Sequence, residues 1–133
     1  MTSLVIPLTW PSADLSPNAR VHPLARHRAA KKAKEEAWGW TVAAMSPLGI
    51  RRGTWGGPIK VQYVFHPLQD RGRDDDNFTA RMKAARDGIA LALGVDDKHF
   101  ALQHVIWGDR RDGTVDVILT PATVEIQHKG TIE

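Results

Sequence analysis

"IKVQYVF", Ile59 to Phe65, decides what kind of fold this chain builds. Ile59, Val61, Tyr63 and Phe65 occupy alternate positions, so an extended segment here presents one wholly apolar side. A half-buried strand of this kind needs a cover. Two amphipathic segments flank it. Upstream, a helix over Leu24–Met45 brings Ala30, Ala33, Ala37, Trp40 and Ala44 onto one stripe, with Pro23 suited to its first turn. Downstream, a helix over Asn77–Leu93 aligns Phe78, Met82, Ala85, Ile89 and Leu93, and Gly94 stops it.

Three further strands read out of the remainder: Leu4–Leu8, Phe100–Trp107 and Thr114–Thr120. "GDRRDG" between the last two reads as the turn of an antiparallel hairpin. Residues 121–133 are expected to add an edge strand or to fray. The order β-α-β-α-β-β predicts an α+β fold, a small mixed β-sheet of about four strands packed with two main helices. At 133 residues the chain suits a single domain over 1–133.

Composition narrows the function classes. No run of about 18 apolar residues is present, so no membrane helix is expected. "MTSLVIPLTWP" lacks a basic segment and a long apolar stretch, unlike a secretory signal. The absence of cysteine excludes disulfides and thiolate zinc sites, and it fits a cytoplasmic location. Six histidines show no metal-ligand spacing. The net charge of +3 is unevenly laid out. Residues 20–34 carry Arg20, Arg26, Arg28, Lys31, Lys32 and Lys34 with no acid, whereas residues 70–76 hold four of the fifteen acids. A basic segment beside an acidic cluster suggests a polyanionic partner and a cation.

The acidic cluster is "GRDDDNFTARMKAARDG", Gly72–Gly88. In an extended chain Asp74 and Asp76 point the same way, roughly 6–7 Å apart, and Asp75 points the other way. Two carboxylates so placed can converge on one hard cation such as magnesium. Counting about 100° per residue from Asp76, Lys83 returns to nearly the same direction, opposite the apolar face. The start of the helix adds a partial positive charge that favours an anion. Asp96 and Asp97, in "GVDDKHF", supply a third acid if folding brings them back across the helix. Blander readings compete. Asp76 or Asn77 could be a helix cap, and "DDD" a salt-bridged loop. The basic segment could be a solvated face. The five tryptophans are expected mostly to pack in the core, with Trp10 or Trp55 the candidates for stacking on a base.

Taken in order, "IPLTWPSADLSPNARVH", "GRDDDN", "KAARDGI" and "GVDDKHF" resemble the RusA family of Holliday-junction resolvases over about residues 3–120. That resemblance implies a homodimeric, magnesium-dependent crossover junction endodeoxyribonuclease, with manganese as an alternative metal. Its substrate would be DNA, cut at four-way junctions by paired symmetric nicks in recombination and repair. It implies Asp74, Asp76 and Asp97 as metal-holding catalytic acids and Lys83 as the catalytic lysine. Arg20, Arg26, Arg28, Lys31, Lys32, Arg71 and Arg73 would then hold the DNA backbone. The rival reading is a non-catalytic nucleic-acid-binding module, or a metal nuclease acting on other branched or single-stranded substrates.

Overall fold

The computed structural model describes residues 3–69 and 73–121. Arg71 and the expected tail after Pro121 lie outside the described residues. Strand β1 covers Leu4–Thr9, β2 Ile59–His66, β3 Phe100–Leu102, β4 Ile106–Trp107 and β5 Thr114–Pro121. Helix α1 covers Pro23–Met45, α2 Asp75–Arg81 and α3 Lys83–Leu93. Together they make an α+β fold in which two main helices, α1 and α3, pack on a mixed five-stranded sheet.

The alternation in β2 does what it implies. Ile59, Val61, Tyr63 and Phe65 all point into the core. Leu4, Ile6 and Leu8 of β1 and Val115, Val117 and Leu119 of β5 join them on the same face. Burial of each such side chain stabilises the fold by roughly 1.5–3 kcal/mol. Val5 on the opposite face stays about half exposed. The sheet is thus covered on one side, as the strict alternation requires.

The pairing departs from the expected hairpin. β5 lies between β1 and β2 and is antiparallel to both. β3 and β4 run parallel to β2 along its other edge, β3 beside Ile59–Val61 and β4 beside Val64–Phe65. The segment expected as one strand is therefore two short ones, and it never pairs with β5. The cause is the crossover through α3, which returns the chain parallel to β2. "GDRRDG" carries the chain across the end of β2 instead of turning a hairpin. Gly108 N–H donates to Phe65 O at 2.8 Å and Gly113 N–H to His66 O at 2.8 Å as it crosses.

Helix α1 begins where Pro23 suggests. His22 Nδ1 accepts the Leu24 N–H at 3.1 Å, so a histidine provides the cap. Of the expected stripe only Ala37 is fully buried; Ala30, Ala33 and Ala44 are half-buried. Ala37, Thr41 and Met45 are buried, whereas Trp40 is 49% exposed. Thr41 is tolerated inside because its hydroxyl donates to Ala37 O at 2.6 Å. Small residues rather than tryptophan face α3 because the two helices approach closely. At Gly88 of α3, an added Cβ would lie 2.2 Å from Lys34 O and 3.1 Å from Trp38 N.

The second predicted helix is two helices, broken at Met82. Met82 N–H bonds to Ala80 O and Thr79 O, a local tightening of the turn. Each half has its own support. Phe78 of α2 sits on a cluster of aromatic rings, and Ala85, Ile89 and Leu93 of α3 face the main core. Gly94, at φ 73°, ends α3 in the left-handed conformation that glycine adopts freely. Gly53 N–H and Arg52 Nε, donating to Leu93 O and Leu91 O, satisfy carbonyls of its last turn.

Candidate functional site

Helix α2 starts two residues before the expected span, and Asp74 is its cap. Asp74 Oδ1 accepts the Asn77 N–H at 3.0 Å. Asp75 and Asp76 therefore belong to the first helical turn. The extended geometry that would align Asp74 with Asp76 is absent, because the cap bond curls the chain into the helix at once. Asp75 is engaged as well: its Oδ1 accepts the Trp107 Nε1–H at 2.7 Å. Asp74, Asp75 and Asp76 are all exposed. The expected anion-binding helix start is thus a seven-residue helix whose first turn is already filled by carboxylates.

An aromatic platform holds this helix in place. Phe65 stacks on Trp107 at 5.2 Å, and Phe78 stands edge-on to Trp107 at 5.4 Å and to Trp10 at 5.3 Å. Trp10 is thus a packing residue along one edge, and Trp55 is buried. Trp38 and Trp40, expected in the core, are 46% and 49% exposed on α1. Asn77 ties the platform to the loop after β1, its Nδ2 donating to Ser16 Oγ at 2.7 Å. "LSPN" and "DDDN", distant in sequence, meet at this bond.

Folding also brings the third acid back. Lys83 Nζ lies 2.8 Å from Asp97 Oδ2 and 2.7 Å from Asp87 Oδ1. The hydrogen bonds that Lys83 donates to Asp87 and Asp97 raise the lysine pKa above its ordinary 10.5. The same bond from Lys83 holds the Asp97 carboxyl below its ordinary 3.8. Asp96 caps the short 3-10 turn Asp97–His99, accepting the Lys98 N–H at 2.9 Å. Asp87 was not among the sequence candidates. Its signal was the i,i+4 spacing from Lys83. The wheel that related Lys83 to Asp76 assumed one continuous helix, and the break at Met82 changes that phase.

The signs of these shifts set a test. Asp97 has a depressed pKa, so its contribution is full above the unfolded value and is lost as pH falls through the folded one. Lys83 has a raised pKa, so its contribution is full below the unfolded value and is lost as pH rises through the folded one. The pair persists across the interval between. In a carbon-detected NMR titration, Asp97 should titrate below 3.8, and Lys83→Met should move that midpoint up. An unmoved midpoint would show that the contact does not persist in solution.

Magnesium takes oxygen donors, and exposed carboxylates are the right kind of donor. Yet among the described residues no group of three or more histidine, aspartate or glutamate side chains is arranged to hold a metal ion. Asp97 is gathered with Lys83 and Asp87 instead, and Asp74 with its own helix.

The basic residues divide by environment. Arg26 is committed internally, donating to Ser16 O at 3.1 Å and Ala19 O at 3.0 Å. Arg20, Arg28, Lys31 and Lys32 are exposed. The last three share a shallow surface depression with Glu35 and Glu36. The Arg73 guanidinium lies 5.7 Å from the centre of the Trp107 ring.

No family model matches the chain. A protein of Xylella fastidiosa (strain Temecula1 / ATCC 700964) is 38% identical over 138 residues, an alignment spanning 98% of this chain and 83% of that protein. The chain belongs to the family of this Xylella protein. The relative is described only as an uncharacterized protein, so membership brings no activity with it. Among solved structures, the OmpA-like domain of FopA1 from Francisella tularensis subsp. tularensis SCHU S4 aligns with 90% of this chain and 73% of its own. That alignment has 13% identity and a TM-score of 0.41, too distant to inform fold or function. No helix among the described residues is long and apolar enough to cross a membrane.

Proposed function

We propose that this chain is a RusA-type endonuclease that cuts four-way DNA junctions in the presence of magnesium, acting as a homodimer. The observation that carries the reading is the meeting of Lys83 with Asp97 at 2.8 Å. Two residues fourteen positions apart, each singled out as part of a phosphodiester site, come together on open surface. Asp74, Asp76 and Asp97 would hold the metal, with Asp97 leaving Lys83 to do so. Bound magnesium would polarise the scissile phosphate and lower the pKa of a water.

The protein's own groups have separable tasks. Lys83 keeps its charge across the neutral range, so a cation stands ready for the charge that develops on phosphate oxygens. Asp87, 2.7 Å away, would keep that ammonium in place if Asp97 turned to the metal. Arg20, Arg28, Lys31, Lys32 and Arg73 would hold the backbone, with affinity falling steeply as salt rises. Two-fold symmetry in a dimer would match the two-fold symmetry of the junction.

A second reading has one observation in its favour. Asp74, Asp75 and Asp96 already have structural hydrogen bonds, as they would in a binding module without catalysis. A labelled four-way junction, a fork and a linear duplex, each incubated with and without magnesium, separate the two. Paired symmetric nicks in the junction that require the metal are expected. Binding without nicking, also with manganese, would leave the binding module.

A further inference from the structure

A cavity of about 190 Å³ lies between the segment that leaves β1, α1 and the end of α2. It is smaller than the ~300–1,000 Å³ typical of drug-sized ligands, so it suits one ring system. Apolar walls come from Leu8, Ala29, Ala33 and Met82, among others, and Trp10 contributes its indole. Three charged side chains also line it: Lys32, Glu36 and Arg81.

Arg81 is the unusual member. Its guanidinium lies 4.4 Å from the centre of the Phe78 ring, and its Nε donates to Asn77 Oδ1 at 3.1 Å. Ring and amide fix the plane of the fork. No carboxylate of the described residues pairs with it, although it is half-buried. Glu36 is held by Thr9, whose hydroxyl donates to both of its oxygens, at 2.9 and 3.0 Å. One hydroxyl leaves most of the lone pairs of that carboxylate unused.

We infer that this cavity is a pocket for a single guanine base of a nucleic-acid strand, read by Arg81 and Glu36. Guanine alone among the bases matches both groups. Its O6 and N7 form the acceptor pair that an arginine fork takes bidentately. Its N1–H and exocyclic amino group are adjacent donors, a match for a carboxylate. The flat ring suits the apolar walls and the indole, and Lys32 can meet a phosphate attached to the same nucleotide. The inference rests on the nucleic-acid reading above and adds the base that it selects.

Two measurements decide it. The first is anisotropy of labelled oligothymidine bearing guanine, adenine or inosine at the same positions, without magnesium so that cutting does not intrude. Guanine should bind about 10-fold or more tighter than adenine, the discrimination that a bidentate pair supplies. Inosine, lacking the amino group, should fall between. Arg81→Lys keeps the charge but loses the fork, and Glu36→Gln loses the carboxylate; each should abolish the preference. The second is NMR of the Trp10 indole N–H, assigned with Trp10→Phe, during titration with dGMP and with dAMP. Only dGMP should shift it. Equal binding of all strands with no Trp10 shift overturns the pocket, even where the junction is cut. A dGMP-specific shift in a protein that cuts no junction upholds the pocket and removes the endonuclease reading.

Discussion

Asp76→Asn should lose junction cleavage by at least about 100-fold, while junction binding stays equal or tightens. The substitution removes one negative charge and one oxygen donor without changing volume. Asp76 sits in the first turn of α2 and is exposed, with no hydrogen bond to the described residues. Its structural role is limited to the helix dipole, worth about 0.3–1 kcal/mol. Thermal unfolding should therefore change little. Asp74→Asn is the informative companion, since asparagine caps helices as well as aspartate does. It should keep the fold and lose cleavage too. Full cleavage by both variants would remove the acidic cluster from the chemistry. Loss of folding in Asp76→Asn would mark it as structural.

Gly88→Ala should destabilise the protein by roughly 2–3 kcal/mol, against the usual trend for helices. In an exposed helix interior, alanine is about 1 kcal/mol better than glycine. At Gly88 the new Cβ would lie 2.2 Å from Lys34 O, a backbone atom that cannot swing aside. α1 and α3 must separate, and the core beneath them, including Ala37 and Ile89, loosens. A fall in Tm of about 10 °C is expected. Gly39→Ala provides the opposite result. It too is inside a helix, but nothing lies within 4 Å of its added Cβ, so stability should rise by about 0.5–1 kcal/mol. If both changes stabilised the protein, the close approach of the two helices would be wrong.

Much of the local structure was legible because it depends on short-range periodicity. Ile59, Val61, Tyr63 and Phe65 announce a one-sided strand, and Met82, Ala85, Ile89 and Leu93 announce a buried helical face. Trp40 misled for a general reason: its spacing matched a stripe, but the face of α1 that is buried runs through Ala37, Thr41 and Met45. The break at Met82 was hidden because nothing in "FTARMKAAR" disfavours a helix. It arises from the two separate surfaces on which α2 and α3 dock.

The candidate site divides along the same line. Asp74, Asp76, Lys83 and Asp97 stood out as chemically capable residues, and the i,i+4 relation could have added Asp87. Their partners could not be read. Trp107 reaches Asp75 across 32 positions, Asn77 reaches Ser16 across 61, and Lys83 reaches Asp97 across 14. The sequence by itself determined the strand and helix types, the α+β class and the residues with chemistry to offer, since side-chain period and residue type act locally. Only the tertiary structure decided that β5 inserts between β1 and β2, that β3 and β4 run parallel to β2, and which acid meets which base. Strand pairing and ion pairing are contests between distant segments for the same edge or the same charge. Each is settled by packing the whole chain at once.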